Sequence, residues 1–234
     1  MTESAVYLQP AFILQHRPYR ESSVLLDVLT RDFGIVTVLA KGVRKQKSKM
    51  AGLLLPFSLL QLSYLDKNEL KTLIQAETVT RYPLQRLALY CGFYVNELVQ
   101  KFLHKHDPHP RLFFCYQHCL QDLSQHECVE QTLRYFELAL LEESGYGAQL
   151  DVEQQEGRAI ETGRRYAFLA DVGMVGASDG LVSGETLLAL SAKMPLKGAA
   201  LPEAKQLLRK MLDVHLQGRP LKSREVLAKI VKYL

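Results

Sequence analysis

The chain has 234 residues, 47% of them apolar, and a formal net charge of +4. That composition supports a sizeable core in one large domain or two small ones, and argues against a diffusely basic protein. No apolar run approaches the roughly 18 residues of a transmembrane helix, and the opening MTESAVYLQP lacks a basic segment followed by a long apolar one, so a cytoplasmic protein with reduced thiols and no membrane contact is expected.

The first eighty residues read as strands. AFILQH (11–16) is apolar and ends at Arg17-Pro18. SSVLLDVLT (22–30) is rich in aliphatic and β-branched residues, and RDFG then supplies a turn in which Gly34 is free to take positive φ. IVTVLAKG (35–42) partly alternates. FSLLQLSYL (57–65) alternates clearly, DKNE is a polar turn, and LKTLIQAETV (70–79) closes the set. Five strands with one long connection predict an OB-type barrel over residues 1–80.

The period changes near Tyr82-Pro83. Leu87, Cys91, Tyr94, Leu98 and Phe102 form one stripe of a helix over 84–103. Further helices are expected over 111–123 and 129–145. Residues 148–182 are weakly patterned and predict an irregular insert, with a short hairpin and one or two strands in YAFLADVGMV. Ser183 is a good N-cap for the helix that follows, and 201–216 and 223–234 complete the chain. The expected class is α+β, with a mostly helical domain over 81–234.

The connection AKGVRKQKSKM (40–50) holds Lys41, Arg44, Lys45, Lys47 and Lys49 and no acid. These five charges exceed the net +4, so the rest of the chain sums to −1 by subtraction. Such a run is either a solvated loop or a phosphate-binding site that releases counterions. Arg17, Arg20, Arg31 and Lys71 fall at strand ends or turns and would extend a cationic track. Tyr19 and Tyr64 would offer stacking faces.

Other clusters carry less. His104, His106, Asp107 and His109 sit at a helix end, where cationic groups suit the dipole. Cys115, His118 and Cys119 share a helical face, with His126 and Cys128 following, so a zinc site can be drawn; but the helix is apolar and has no CxxC pair. No glycine-rich phosphate loop, GxSxG elbow or HExxH is present, so the chain is not expected to be an enzyme. Arg134, Tyr135 and Phe136 combine a cation with aromatic bulk: a core Phe beside a surface Arg and Tyr, or a pocket for an acidic, aromatic tail.

AFILQHRPYRESSVLLDVLTRDFGIVTVLAKGVRK closely resembles the opening of the bacterial RecO family of recombination mediators. LLLPFSLLQLSY, LYCGFYVNELVQKFL, RYFELALLEESGYG and GRPLKSREVL are similar to later family segments, in the same order. The resemblance implies an N-terminal OB-fold and a helical C-terminal domain. It further implies binding to single- and double-stranded DNA, annealing of complementary strands, and work with RecR. Contact with the C-terminal tail of the single-strand-binding protein SSB and help in loading RecA would complete that role, with no enzymatic step and no cofactor. On this reading Lys41, Arg44, Lys45, Lys47 and Lys49 form the DNA-binding connection, flanked by Arg17 and Arg20, and Arg134 with Tyr135 is the place for the SSB tail. Many members carry a four-cysteine zinc element after the GYG segment. Here 148–182 has no cysteine, so the chain resembles the zinc-less branch and no metal is expected. A protein–protein scaffold whose basic loop docks an acidic partner is the alternative.

Overall fold

The computed structural model describes residues 4–46, 48–66, 70–125 and 128–230. It is an α+β chain that begins with five strands: β1 (Ala5–Tyr19), β2 (Ser23–Thr30), β3 (Gly34–Ala40), β4 (Ser58–Leu65) and β5 (Lys71–Arg81). They close in the order β1-β2-β3-β5-β4, with β1 antiparallel to both β2 and β4 and a short parallel contact between β3 and β5. This is an OB-like arrangement. The alternation read from the sequence turns one set of side chains inward: Ile13, Leu26, Val28, Val36, Val38, Leu60 and Leu62 fill the interior.

Two features of β1 differ from the expected strand. It runs on through Pro18, because β4 accompanies it only as far as Ala11 and the flank beyond is an edge where proline is tolerated. It also bulges at Leu14, between the register positions Ile13 and Gln15. The carbonyl of Leu14 accepts from Asn96 Nδ2 at 3.0 Å, and Asn96 Oδ1 accepts from the Tyr116 hydroxyl at 2.6 Å. The bulge is thus satisfied by two helices, α1 (Arg86–Phe102) and α2 (Pro110–Gln125). They cover Phe12 on the outer face of the strand, whose ring lies 5.2 Å from Phe113 and 4.9 Å from Tyr116.

The chain divides into two compact units. The barrel groups with α1, α2 and a C-terminal segment from Leu221; residues 126–220 form the second unit. The returning segment is held by Glu97, whose carboxylate accepts from the backbone N–H of Lys222 and Ser223 and from the Ser223 hydroxyl at 2.6–3.0 Å. Within the described residues its helix spans Lys222–Ile230; the last four positions of the predicted helix lie outside them.

The second unit contains α3 (Val129–Glu143), β6 (Val152–Glu153), β7 (Arg158–Ala159), β8 (Arg165–Leu169), β9 (Gly173–Gly176), β10 (Val182–Ser183), α4 (Gly184–Ser191) and α5 (Ala200–Leu216); the helix from Lys222 is α6. The stretch expected to be irregular is a β6–β7 hairpin beside a three-stranded sheet of order β10-β8-β9. Side chains tie the two together. Glu153 accepts from the Gly176 N–H at 2.7 Å, and Gln154 accepts from the Met174 N–H at 2.5 Å. Ser183 caps α4 as its sequence predicts, accepting from the Thr186 N–H. Glu203 of α5 then accepts from the Ser183 N–H and hydroxyl and the Thr186 hydroxyl, and pairs with Arg165 at 3.1 Å.

Candidate nucleic-acid interface

The β3–β4 connection is pinned at its start. Val43, the apolar residue among the cations, is buried in the barrel core. The Arg44 N–H donates to the Ser22 carbonyl at 2.9 Å, and its guanidinium donates to the Arg20 carbonyl at 3.1 Å. Arg20 itself sits at φ +51 in the β1–β2 turn, so the loop is laid against that turn by backbone acceptors. Between them lies an open groove of about 700 Å³ lined by Tyr19, Arg20, Glu21, Leu39, Lys41 and Lys45, among others. The Arg20 guanidinium lies 5.3 Å from the centre of the Tyr19 ring.

The structure therefore brings Lys41, Arg44, Lys45 and Arg20 to one end of the barrel, with Tyr19 beside them. Lys49 is exposed at the start of the 3₁₀ turn Lys49–Gly52, farther along the connection. Lys47 lies outside the described residues. The other cations expected on the track are placed differently. Arg17 is on the outer face of β1 and half exposed, but pairs with Asp27 at 2.9 Å. Arg31 is at the β2–β3 turn, paired with Asp32 at 2.9 Å. Hydrogen bonding from Arg31 holds the Asp32 carboxyl below its ordinary range. Lys71 is buried and pairs with Asp66.

Tyr64, expected as a stacking face, is 1% exposed inside the barrel. The alternation of β4 puts it on the same side as Leu60 and Leu62, and burial pushes its hydroxyl up to about 12. Arg134 likewise is not on a surface groove. Its side chain is 8% exposed on α3 and pairs with Glu137 at 2.7 Å. The adjacent Tyr135 donates its hydroxyl to the Met194 carbonyl. One turn of helix separates Arg134 from Glu137, a spacing visible in the sequence that signals the pair.

Cys115 and Cys119 lie on α2, with Cys119 buried, whereas Cys128 is the exposed residue before α3; His126 lies outside the described residues. Among the described residues no helix is long and apolar enough to cross a membrane.

An OB-like barrel joined to a largely helical remainder, with a cationic groove at one barrel end, defines the class of the molecule. Two family models match it: Recombination protein O N terminal over residues 1–82, and Recombination protein O C terminal over 83–225. The DNA repair protein RecO of Methylococcus capsulatus is 44% identical, the match covering 95% of this chain and 93% of that one. The proteins of the same description from Nitrosococcus oceani and Nitrosospira multiformis are 42% and 39% identical, over 96% and 94% of this chain. The chain belongs to the RecO family.

Proposed function

We propose that this protein acts in DNA repair as a DNA-binding recombination mediator. It binds single- and double-stranded DNA, anneals complementary strands and, together with RecR, helps RecA load onto SSB-coated DNA. On this reading it works in the cytoplasm at the nucleoid, without catalysis or a cofactor. The observation that carries the reading is the groove in which Arg20, Lys41 and Lys45 converge, with Arg44 holding the loop to the β1–β2 turn. Lys41, Arg44, Lys45 and Arg20 take phosphates, and Lys47, Lys49 and Arg17 extend the contact. Phosphate contacts position a strand without reading its bases, so binding is tolerant of sequence and sensitive to salt. Two strands held in this way can exchange positions until their bases pair.

Arg31 pairs with Asp32 in the exposed β2–β3 turn and buried Lys71 pairs with Asp66, so neither is included in the proposed contact. The acidic tail of SSB remains the proposed partner of the helical part. Arg134 serves it only if its guanidinium leaves Glu137, so the tail's binding place is to be sought by mapping. An R134E variant that still binds an SSB-tail peptide would remove this residue from that role.

The test of the main reading is single-strand affinity of R44A/K45A across a salt series. Affinity is expected to fall, and the slope of log affinity against log salt to become shallower by about 0.7 per lost contact. Unchanged affinity and slope would exclude the loop. If oligonucleotides fail to bind at physiological salt at all, the scaffold reading replaces this one.

A further inference from the structure

Three consecutive rows of side chains cross the outer face of β1, β2 and β3. Inward residues fix the parity: Leu26 and Val28 on β2, and Val36 and Val38 on β3, face the interior. Their neighbours face out. The row containing Phe12, Leu29 and Ile35 is buried, with α2 rings over Phe12. The next row, set by register, is Gln15, Asp27 and Thr37, and after it come Arg17, Leu25 and Leu39. These last are not covered by the helices: Leu25 and Leu39 are half-buried and Arg17 is exposed. Leu39 also lines the groove that ends at Lys41 and Lys45.

A segment from outside the barrel marks the border between the covered and open halves. The α1–α2 connection lies alongside β3: Lys105 bridges in parallel to Ile35, and the His106 N–H donates to the Ile35 carbonyl at 3.1 Å. Its close approach depends on Gly34, where a Cβ would stand 2.2 Å from the Asp107 carbonyl oxygen. The approach places the Lys105 Nζ 2.8 Å from the Thr37 hydroxyl, which donates in turn to Asp27 at 2.7 Å. Lys105 is exposed, and its described partner is a neutral hydroxyl.

We infer that the polyanion path extends from the loop groove across this open half-face to Lys105, and that it is a path for a single strand. The inference rests on the DNA-binding reading above and deepens it. Cations stand at both ends: Lys41, Lys45 and Arg20 at one, and Lys105 at the other; Arg17, paired with Asp27, lies beside the floor between them. Thr37 lies on β3 and Lys41 directly after it, four residues on and about 13 Å away, which is more than one phosphate contact spans. Between the ends the floor is apolar, made by Leu25 and Leu39, with Tyr19 at its edge. Unpaired bases can rest on such a floor while their phosphates meet the cations. A duplex presents its phosphate backbone outward and cannot use it.

The test compares K105Q and K105R with R44A/K45A in the full chain, using an oligothymidylate of about 16 nucleotides, the upper end of site sizes for an OB fold, and a duplex. K105Q is expected to weaken the single strand about three- to tenfold and to lower its salt slope by about 0.7. It should leave the duplex unchanged, and K105R should restore binding. Thermal melting of K105Q should match the parent. If R44A/K45A weakens binding and K105Q does not, the path ends at the loop and the inference falls while the DNA-binding reading stands. If K105Q weakens duplex and single strand equally, the single-strand assignment falls. If neither variant changes binding, both readings fail together.

Discussion

Lys41 and Lys45 differ from Lys71 and Arg134 in what surrounds them. The first two are exposed in a loop whose anchoring is done by Val43 and Arg44. The last two are buried and paired with carboxylates. A charge of the first kind is available to a phosphate; one of the second kind sustains the fold, because removing its carboxylate partner strands a buried cation. Gly34 is the residue on which the open face most depends. It takes φ +64 and has the Asp107 backbone against it. G34A is expected to cost about 2 kcal/mol through backbone strain and the loss of this contact. A urea midpoint equal to that of the parent would refute this. The turn glycine was legible in RDFG, since a turn between two strands calls for positive φ. The contact with Asp107 was not, because the two stand 73 positions apart in the chain.

At the scale of elements, the second unit is held by acidic side chains at strand and helix ends. Burial by itself would raise the Glu203 carboxyl. Hydrogen bonds from Thr186, from the backbone and hydroxyl of Ser183, and from Arg165 outweigh burial and hold it below its ordinary range. A carboxyl lowered in the folded state stabilises above its unfolded value, about 4.3 for Glu, and that contribution is lost as pH falls through the folded value. Melting of this unit is therefore expected to drop on the acid side of about pH 4.3, and E203Q should flatten that dependence. A parent and variant with the same acid profile would show that Glu203 is not the responsible group. E203A, which leaves Ser183, Thr186 and Arg165 without their acceptor, is expected to cost about 2 kcal/mol near neutral pH. Glu153 and Gln154 tie the cysteine-free stretch to β9 by side-chain hydrogen bonds, with no cysteine involved. Added chelator is accordingly expected to leave the melting temperature unchanged. A fall in that temperature would reveal a structural metal.

For the whole molecule, the chain divides into two compact units. The proposed DNA groove lies in the unit built on the barrel, and the Glu203 cluster lies in the unit of residues 126–220. Among the described residues the two groups have no partner in common, and their effects are expected to add. E203Q combined with R44A/K45A is expected to show the stability of E203Q and the DNA affinity of R44A/K45A. A loss of affinity in E203Q alone, measured where it remains folded, would mean that the two units are coupled.

The sequence by itself determined the strand alternation, the helical stripes, the Ser183 cap and the concentration of charge in residues 41–49. Each of these depends on residues near one another along the chain, where period, turn chemistry and local charge act directly. Only the tertiary structure decided which cations stay free and which meet an acid. Arg17 and Asp27 are joined by the β1–β2 register, and Tyr64 is turned inward by closure of the barrel. Lys105 reaches Thr37 only because the α1–α2 connection lies along β3. These relations are set by pairing and packing between distant segments. Spacing along the chain does not encode them, whereas the barrel register fixes each to a particular partner.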